Sequence, residues 1–250
     1  MKRTTIIFFI AVLFIAATPV QKLTIWLCGD STIANKVTTA YPETGWGMPF
    51  VYFWDSSVQV KNLAKNGRST KTFINEQLWQ QVIDGAAEGD VVLIQFGHND
   101  ESKEKKERYT SPDEFKINLS RFVEEARAKK TIPILLTPVS RRKFDTLGNV
   151  LETHRVYTEL VKEVALEKNV SYIDLDTKSR ALYQQFGKEN SALLFLQLKP
   201  GEHPNYPDGK IDNTHFNELG ARLIAQLVLQ ELKQLNTPLN THIRVPKIKS

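Results

Sequence analysis

LTIWLCGDST, residues 23–32, begins as an uncharged apolar run and ends in glycine, aspartate, serine and threonine. A short apolar run bounded by turn-forming residues predicts a buried β-strand. Taken alone, Gly-Asp-Ser is also an ordinary turn after a strand, because serine is a preferred turn and helix N-cap residue. Whether Ser31 does chemistry therefore depends on the rest of the chain.

Four further apolar runs follow this strand, and patterns typical of helices separate them. The predicted strands are SVQVKNLA (57–64), VVLIQFG (91–97), TIPILLTPV (131–139) and VSYIDL (170–175). Apolar residues at helical spacing predict helices over 70–83, 112–129, 151–168 and 218–235. Strands that alternate with helices form parallel sheets covered on both faces. The sequence therefore predicts one α/β domain, a three-layer α/β/α sandwich around a five-stranded parallel sheet.

The first twenty residues differ from the rest of the chain. Lys2 and Arg3 precede the uncharged apolar run TTIIFFIAVLFIAA, which is typical of a secretory signal peptide over 1–20. A single membrane anchor is the alternative, because the run is close to the shortest length that spans a bilayer. We predict a secreted or periplasmic protein with no stable membrane association after cleavage. Its folded domain covers 21–236, and 237–250 form an irregular C-terminal tail.

Composition limits the partners of this domain. The formal net charge of +5 falls to +3 when Lys2 and Arg3 are removed with the signal peptide. Basic residues are mixed with acidic ones, as in ESKEKKER (101–108), which indicates a solvated charged loop. No basic cluster with interleaved aromatic residues predicts nucleic-acid binding. Cys28 is the single cysteine, and no cluster has metal-ligand spacing, so we expect no disulfide, no metal and no cofactor. We expect a monomer.

Polar blocks follow three of the predicted strands, and a fourth precedes the last helix. They contain, in chain order, Ser31, Gly67, Asn99 and the pair Asp212 and His215. Ligands bind such sheets beyond the carboxyl ends of the strands, so we expect these residues to meet at one edge. Each block alone has another explanation: a turn glycine, a helix cap or a polar loop.

Acyl transfer requires these residue types. A serine hydroxyl becomes a nucleophile when a neutral imidazole accepts its proton. Asp212 and His215 are three residues apart, a spacing that places side chains on the same side of a helical turn. The carboxylate can then hold one ring nitrogen while the other faces Ser31. The N–H groups of Ser31 and Gly67 and the amide of Asn99 can stabilise the oxyanion.

The blocks GDST, NLAKNGRS, FGHND and DNTHF, together with TPVSRR, resemble the SGNH (GDSL-like) hydrolase superfamily and, within it, the rhamnogalacturonan acetylesterase family. The resemblance covers nearly the whole chain after the signal peptide and implies a flavodoxin-like hydrolase domain. It implies that Ser31 is the nucleophile, that Gly67 and Asn99 complete the oxyanion hole, and that Asp212 and His215 complete a Ser-His-Asp triad.

The resemblance also implies a secreted serine esterase. Its substrate would be acetylated plant cell-wall polysaccharide or oligosaccharide, most simply the rhamnogalacturonan backbone of pectin, cleaved through an acetyl-enzyme on Ser31. Candidate substrate contacts are His98, beside Asn99, and Trp46, together with His203 and Tyr206 in the loop before the Asp/His pair.

Three alternatives remain open at this point. One is an SGNH esterase that acts on xylan, a lipid or another small ester. Another is a non-catalytic carbohydrate-binding protein on the same scaffold, which the complete set of triad and oxyanion residues disfavours. A third is a nucleotide-binding flavodoxin-like domain, which is disfavoured because acidic Asp30 stands where a phosphate cradle would be needed.

Overall fold

The structure is a computed structural model that describes residues 22–245. The predicted signal peptide over 1–20 lies outside the described residues. Within 22–245, no helix is both long and apolar enough to cross a membrane. The same residues contain no group of three or more His, Cys, Asp or Glu side chains arranged to hold a metal ion.

Five parallel strands form the central sheet. They are β1 (Leu23–Gly29), β2 (Val58–Asn62), β3 (Val91–Gln95), β4 (Ile132–Leu136) and β5 (Tyr172–Ile173), in the spatial order β2-β1-β3-β4-β5. In the register, Leu27 of β1 pairs with Asn62 on one side and with Leu93 on the other. The winding of the chain reverses direction at β1, the kind of point where ligands bind in doubly wound sheets. The predicted fold class is confirmed.

Helices cover both faces of this sheet. They are α1 (Gly47–Phe50), α2 (Thr70–Asn75), α3 (Leu78–Gly85), α4 (Pro112–Ala128), α5 (Arg155–Glu167), α6 (Leu175–Asn190) and α7 (Glu218–Leu232), and α6 is kinked at Gly187. Successive side chains of β1 point to opposite faces, as in any strand. Ile25 and Leu27 pack with α1, α6 and α7, whereas Trp26 and Cys28 pack with α2 to α5. Two separate apolar cores therefore fix the sheet between the helix layers.

Several element bounds differ from the prediction. The helix predicted over 70–83 is divided into α2 and α3, because Gln77 has a left-handed backbone with φ of 57°. The helix predicted from residue 151 begins at Arg155. α6 is not predicted at all, and its first turn occupies the end of the predicted fifth strand. Asp174 caps α6, since its carboxylate accepts the N–H of Thr177.

An antiparallel hairpin lies outside the central sheet. Its strands are β6 (Phe195–Leu198) and β7 (Lys210–Phe216), and neither is predicted from the sequence. Asp212 and His215 lie in β7, so the expectation that they share a helical turn is wrong. The hairpin leads directly into α7 and so carries this pair to the edge of the sheet.

Part of the segment after α7 packs on the domain. Residues Pro238–His242 form a 3₁₀ helix in which Leu239 is completely buried. Ile243 then forms an antiparallel bridge with Trp54. The described part of the predicted tail therefore contributes to the core.

Asp90 joins β1 to the turn before β3. Its buried carboxylate accepts the N–H groups of Thr24 and Ala87 and the indole N–H of Trp26. Asp90→Ala leaves these donors without an acceptor, and we expect the free energy of unfolding to fall by about 3 kcal/mol. Urea denaturation measures the change. Asp84→Ala is the control, because Asp84 is exposed and accepts a hydrogen bond only from Gln80 on α3. It should change the free energy of unfolding by no more than about 0.5 kcal/mol. Equal losses in the two variants would contradict the prediction.

Candidate active site

Loops that follow β1, β2 and β3 meet β7 at one edge of the sheet. Together they line an open pocket of about 440 Å³. Ser31, Gly67, Asn99 and His215 all line it, although they come from four separate parts of the chain. The structure therefore brings together at one place the polar blocks that the sequence singles out.

Ser31 lies in a tight turn at the end of β1. The carbonyl of Asp30 accepts the N–H of Ile33, and the buried carboxylate of Asp30 accepts the N–H and the hydroxyl of Thr32. A Cβ at Gly29 would lie 2.6 Å from the backbone carbonyl oxygen of Gln95, so the close approach of the neighbouring strand β3 requires glycine. The turn leaves Ser31 8 % exposed at the base of the pocket.

A large bulge in β7 brings Asp212 and His215 together. Residues 195–197 of β6 lie opposite residues 211–216 of β7, so β7 carries three extra residues in this interval. The chain bends here, and Oδ1 of Asp212 accepts the N–H of Thr214 at 2.7 Å and that of His215 at 3.0 Å. A bulged strand, rather than a helical turn, therefore produces the contact between residues three apart.

Ser31, His215 and Asp212 form a continuous chain of polar contacts. Nε2 of His215 lies 3.0 Å from Oγ of Ser31, and Nδ1 lies 2.8 Å from Oδ2 of Asp212. A neutral imidazole that donates from Nδ1 leaves Nε2 free to accept the serine proton. Burial opposes ionisation of Asp212, but hydrogen bonds from His215 outweigh it and hold the pKa of Asp212 below its usual range. Asp212 is therefore ionised at neutral pH.

Two donors lie on the other side of the pocket. Gly67 is in a turn that the N–H of Arg68 closes onto the carbonyl of Lys65, and its φ of 78° favours glycine. The side-chain amide of Asn99 donates one N–H to the carbonyl of Arg68 at 2.9 Å. An amide has two N–H groups, so this bond orients Asn99 and leaves the second donor for a ligand.

Lys36 links the turn of Ser31 to the loop of Gly67, and the sequence offers no signal for it. Its ammonium donates to the carbonyl of Ser31 and to Oδ1 of Asn66, both at 2.7 Å. It also pairs with Glu43 at 2.7 Å, and the lysine side chain is only 2 % exposed. Burial lowers the pKa of Lys36, and the contact with Glu43 opposes this shift. This buried cation therefore fixes the distance between the two loops.

His98 lines the base of the pocket and belongs to a buried polar cluster. Its Nδ1 is 3.4 Å from Oδ2 of Asp30, and its ring centroid is 4.1 Å from that of His154. Burial, aided by His154, lowers the pKa of His98 to about 4, so the ring is neutral at neutral pH. Burial opposes ionisation of Asp30, but His98 and Thr32 together lower the pKa of Asp30 to about 2. A substrate contact by His98 stays a prediction.

The other predicted substrate contacts lie away from the pocket. Trp46 is completely buried, and its indole N–H donates to Oε1 of Gln95 at 3.0 Å, so it packs in the core and cannot reach a ligand. His203 and Tyr206 lie between β6 and β7 and pack on residues 38–41, where the hydroxyl of Tyr206 donates to a carbonyl. Neither of them lines the pocket that holds Ser31.

The stretch 101–108, expected to be a solvated charged loop, is exposed over residues 103–107 and also forms one wall of the pocket. Lys105 and Arg108 line the pocket, as do Ser102 and Glu104. The N–H of Thr110 donates to the carbonyl of Asp100 at 3.0 Å, which closes the loop and folds it back over the site. Charge composition alone cannot predict that this loop folds back over the pocket.

A serine bonded to a histidine that is bonded to a carboxylate, at the carboxyl edge of a doubly wound sheet, is the arrangement of serine ester hydrolases. The protein is a serine-dependent carboxylic ester hydrolase of the SGNH type. It belongs to the GDSL-like lipase/acylhydrolase family, which it matches over residues 27–223.

Relatives from Bacillus subtilis (strain 168) cover most of the chain. The rhamnogalacturonan acetylesterase RhgT is 40 % identical over 90 % of this chain and 94 % of its own length. The probable rhamnogalacturonan acetylesterase YesY is 36 % identical over 88 % of this chain and 96 % of its own length. The crystal structure of YxiM superposes with a TM-score of 0.75 at 29 % identity, covering 88 % of this chain. The match spans 58 % of the YxiM chain, so this protein corresponds to just over half of that structure.

Proposed function

We propose that the protein removes O-acetyl groups from the rhamnogalacturonan backbone of pectin through an acetyl-enzyme on Ser31. The observation that carries the chemistry is the chain of contacts from Asp212 through His215 to Ser31 inside an open pocket. The substrate is supported by the relative RhgT, a rhamnogalacturonan acetylesterase that is 40 % identical over 90 % of this chain.

Acylation uses the residues of the pocket in turn. Oγ of Ser31 attacks the acetyl carbonyl carbon while its proton passes to Nε2 of His215. The carbonyl oxygen takes the electron pair and accepts hydrogen bonds from the N–H groups of Ser31 and Gly67 and from the amide of Asn99. The C–O bond to the sugar then breaks, and His215 returns the proton to the sugar oxygen. Asp212 stabilises the transient imidazolium throughout.

Deacylation repeats these steps with water. His215, neutral again, accepts a proton from a water molecule, and the resulting hydroxide attacks the acetyl carbon. The same three donors hold the second oxyanion. Its collapse releases acetate, and His215 gives the proton back to Ser31.

Lys36 should position the nucleophile, and Lys36→Met tests this role. We expect kcat to fall by about tenfold to a hundredfold, because the loops of Ser31 and Gly67 lose their link. The free energy of unfolding should also fall by about 3 kcal/mol, because Glu43 is left without its partner. Steady-state kinetics and urea denaturation measure the two effects.

A double variant separates positioning from stability. Lys36→Met with Glu43→Gln removes the unpaired carboxylate and should recover much of the lost stability without restoring kcat. If kcat recovers together with stability, Lys36 has no positioning role.

We also propose that residues 1–20 are a signal peptide and that the enzyme acts outside the cytoplasm. The support is the charged start at Lys2 and Arg3, followed by fourteen residues without a charge, 4–17. N-terminal sequencing of the exported protein should find a chain that begins between residues 18 and 21. A mature chain that retains Lys2 would overturn this assignment.

Acetate release tests the substrate. Acetylated rhamnogalacturonan, acetylated xylan and a neutral aryl acetate are compared at equal ester concentration. Preference for rhamnogalacturonan supports the proposal, whereas equal or greater release from xylan assigns the enzyme to another polysaccharide. If none of the three esters is cleaved, the non-catalytic binding protein becomes the better explanation.

A further inference from the structure

The wall of the pocket carries three cationic side chains. Lys105 and Arg108 come from the loop after β3, and Arg141 comes from the segment after β4. Arg141 is held in place, since it donates to the hydroxyl of Thr214 at 2.5 Å and lies 3.8 Å from a carboxylate oxygen of Glu101. Arg141 therefore needs no ligand to explain its position.

The guanidinium of Arg108, in contrast, has no partner in the protein that would explain its position. Its Nε is buried without a hydrogen-bond partner, and no carboxylate among residues 22–245 forms an ion pair with it. Other partly buried arginines have acceptors for their N–H groups: Arg180 donates to Asp176 at 2.7 Å, and Arg142 donates to the hydroxyl of Ser191 at 2.9 Å. A ligand cannot reach the buried Nε, but the terminal nitrogens Nη1 and Nη2 have no acceptor among residues 22–245, and Arg108 lines the pocket. A cation that is half-buried without an acceptor favours a ligand that supplies one. The surroundings of Arg108 thus point to an anionic group in the pocket.

The carboxylates that line the pocket do not pair with Arg108. Glu43 lines the pocket, but Lys36 holds it at 2.7 Å. Glu104 is an exposed side chain and forms no ion pair with Arg108 among the described residues. Glu101 lies near Arg141, so one unpaired carboxylate, Glu104, remains against the two cations Lys105 and Arg108. This wall therefore keeps an excess of positive charge.

The position of Arg108 sets where the anionic group binds. Its Nη1 lies 3.2 Å from the point that a Cβ of Gly67 would occupy, so the guanidinium borders the residue that faces the ester oxygen. A group bound by Arg108 is thus next to the reacting acetyl, within the same sugar or its immediate neighbour. A planar guanidinium suits a carboxylate, which it can bind through two parallel hydrogen bonds.

We infer that Arg108, assisted by Lys105, binds a carboxylate of the substrate beside the acetyl ester and selects polysaccharides that carry uronate sugars. This inference rests on the proposed function, since rhamnogalacturonan is by its name a polymer that contains galacturonate, a uronate sugar. It adds a basis for selectivity: a neutral acetylated backbone leaves Arg108 unpaired in the bound complex.

The experiment compares three substrates by acetate release. They are an acetylated rhamnogalacturonan oligosaccharide, the same oligosaccharide with its carboxylates converted to methyl esters, and a neutral aryl acetate. The enzymes are the native protein, Arg108→Gln, Arg108→Lys and the control Lys103→Gln. Lys103 lies in the same loop and carries the same charge but is exposed and does not line the pocket.

The native enzyme should prefer the free carboxylate form over the methyl ester by about tenfold to a hundredfold in kcat/KM, as expected for a charge-assisted hydrogen bond. Arg108→Gln should abolish most of this preference, Arg108→Lys should keep part of it, and Lys103→Gln should keep it in full. Because the preference is a ratio between two substrates, partial loss of folded enzyme does not alter it.

The possible failures are distinguishable. If the native enzyme releases acetate equally from both forms, or if Arg108→Gln keeps the preference, Arg108 does not bind the carboxylate although the acetylesterase assignment stands. If the native enzyme cleaves the aryl acetate but neither form of the oligosaccharide, the proposed substrate is wrong, and the uronate inference is overturned with it.

Discussion

Ser31→Ala should lower kcat for acetate release by about 10⁴-fold or more. The variant keeps the oxyanion donors and His215 but has no nucleophile to form the acetyl-enzyme. Oγ of Ser31 contacts only Nε2 of His215 among the described residues, so its removal should leave stability nearly unchanged. Single-turnover kinetics and mass spectrometry of the acetylated native protein measure the loss and locate the acetyl group.

A matched serine outside the pocket serves as the control. Ser56 is exposed in the turn before β2 and does not line the pocket, so Ser56→Ala should retain native kcat. Thermal unfolding should be alike in both variants. Activity of Ser31→Ala within tenfold of native, or an acetyl group found on a different residue, would remove Ser31 from the mechanism.

Asn99→Ala should lower kcat by about a hundredfold to a thousandfold with little change in KM. The reason is that the amide donor acts mainly on the oxyanion, which exists only in the transition state and the tetrahedral intermediates. Asn99→Asp should lose at least as much, because a carboxylate facing the oxyanion repels it. Steady-state kinetics on the aryl acetate separate kcat from KM.

Asn118→Ala is the control that measures how much removal of a side-chain amide affects the fold rather than catalysis. The amide of Asn118 donates to the hydroxyl of Thr70 at 3.1 Å, and the amide of Asn99 donates to the carbonyl of Arg68. Asn118 does not line the pocket that holds Ser31. Asn118→Ala should lose a similar amount of stability and keep its kcat. A similar fall of kcat in both variants would mean that the amide of Asn99 only supports the fold.

The central sheet is predictable because its strands are buried on both faces. Val91–Gln95, for example, is buried at every position, and its first four residues, 91–94, form an uninterrupted apolar run. The hairpin is different, because Lys210 and Ile211 are exposed and the strand has no apolar alternation. α6 is missed although its signal exists: Asp174 is an N-cap, and Leu175, Ser179 and Tyr183 are buried at a spacing of four.

Some polar residues of the site are predictable because they follow strands that the sequence shows. Ser31, Gly67 and Asn99 each follow a recognisable strand, and parallel strands end at one edge. Lys36 and Arg108 acquire their surroundings only from long-range packing, so no local pattern distinguishes them from surface cations. Trp46 is misassigned because an aromatic residue near a glycine-rich turn has the same sequence pattern whether it faces a ligand or the core.

The distance along the chain between Ser31 and His215 has a consequence for how activity appears during folding. The two side chains that share a proton are 184 residues apart, and the histidine is carried by a hairpin that packs beside the final helix. A growing or truncated chain that stops before β7 contains the nucleophile and the oxyanion donors but no base. The onset of ester hydrolysis is therefore a signal that β7 has docked against the edge of the sheet, and a chromogenic acetate reports this late step rather than partial collapse.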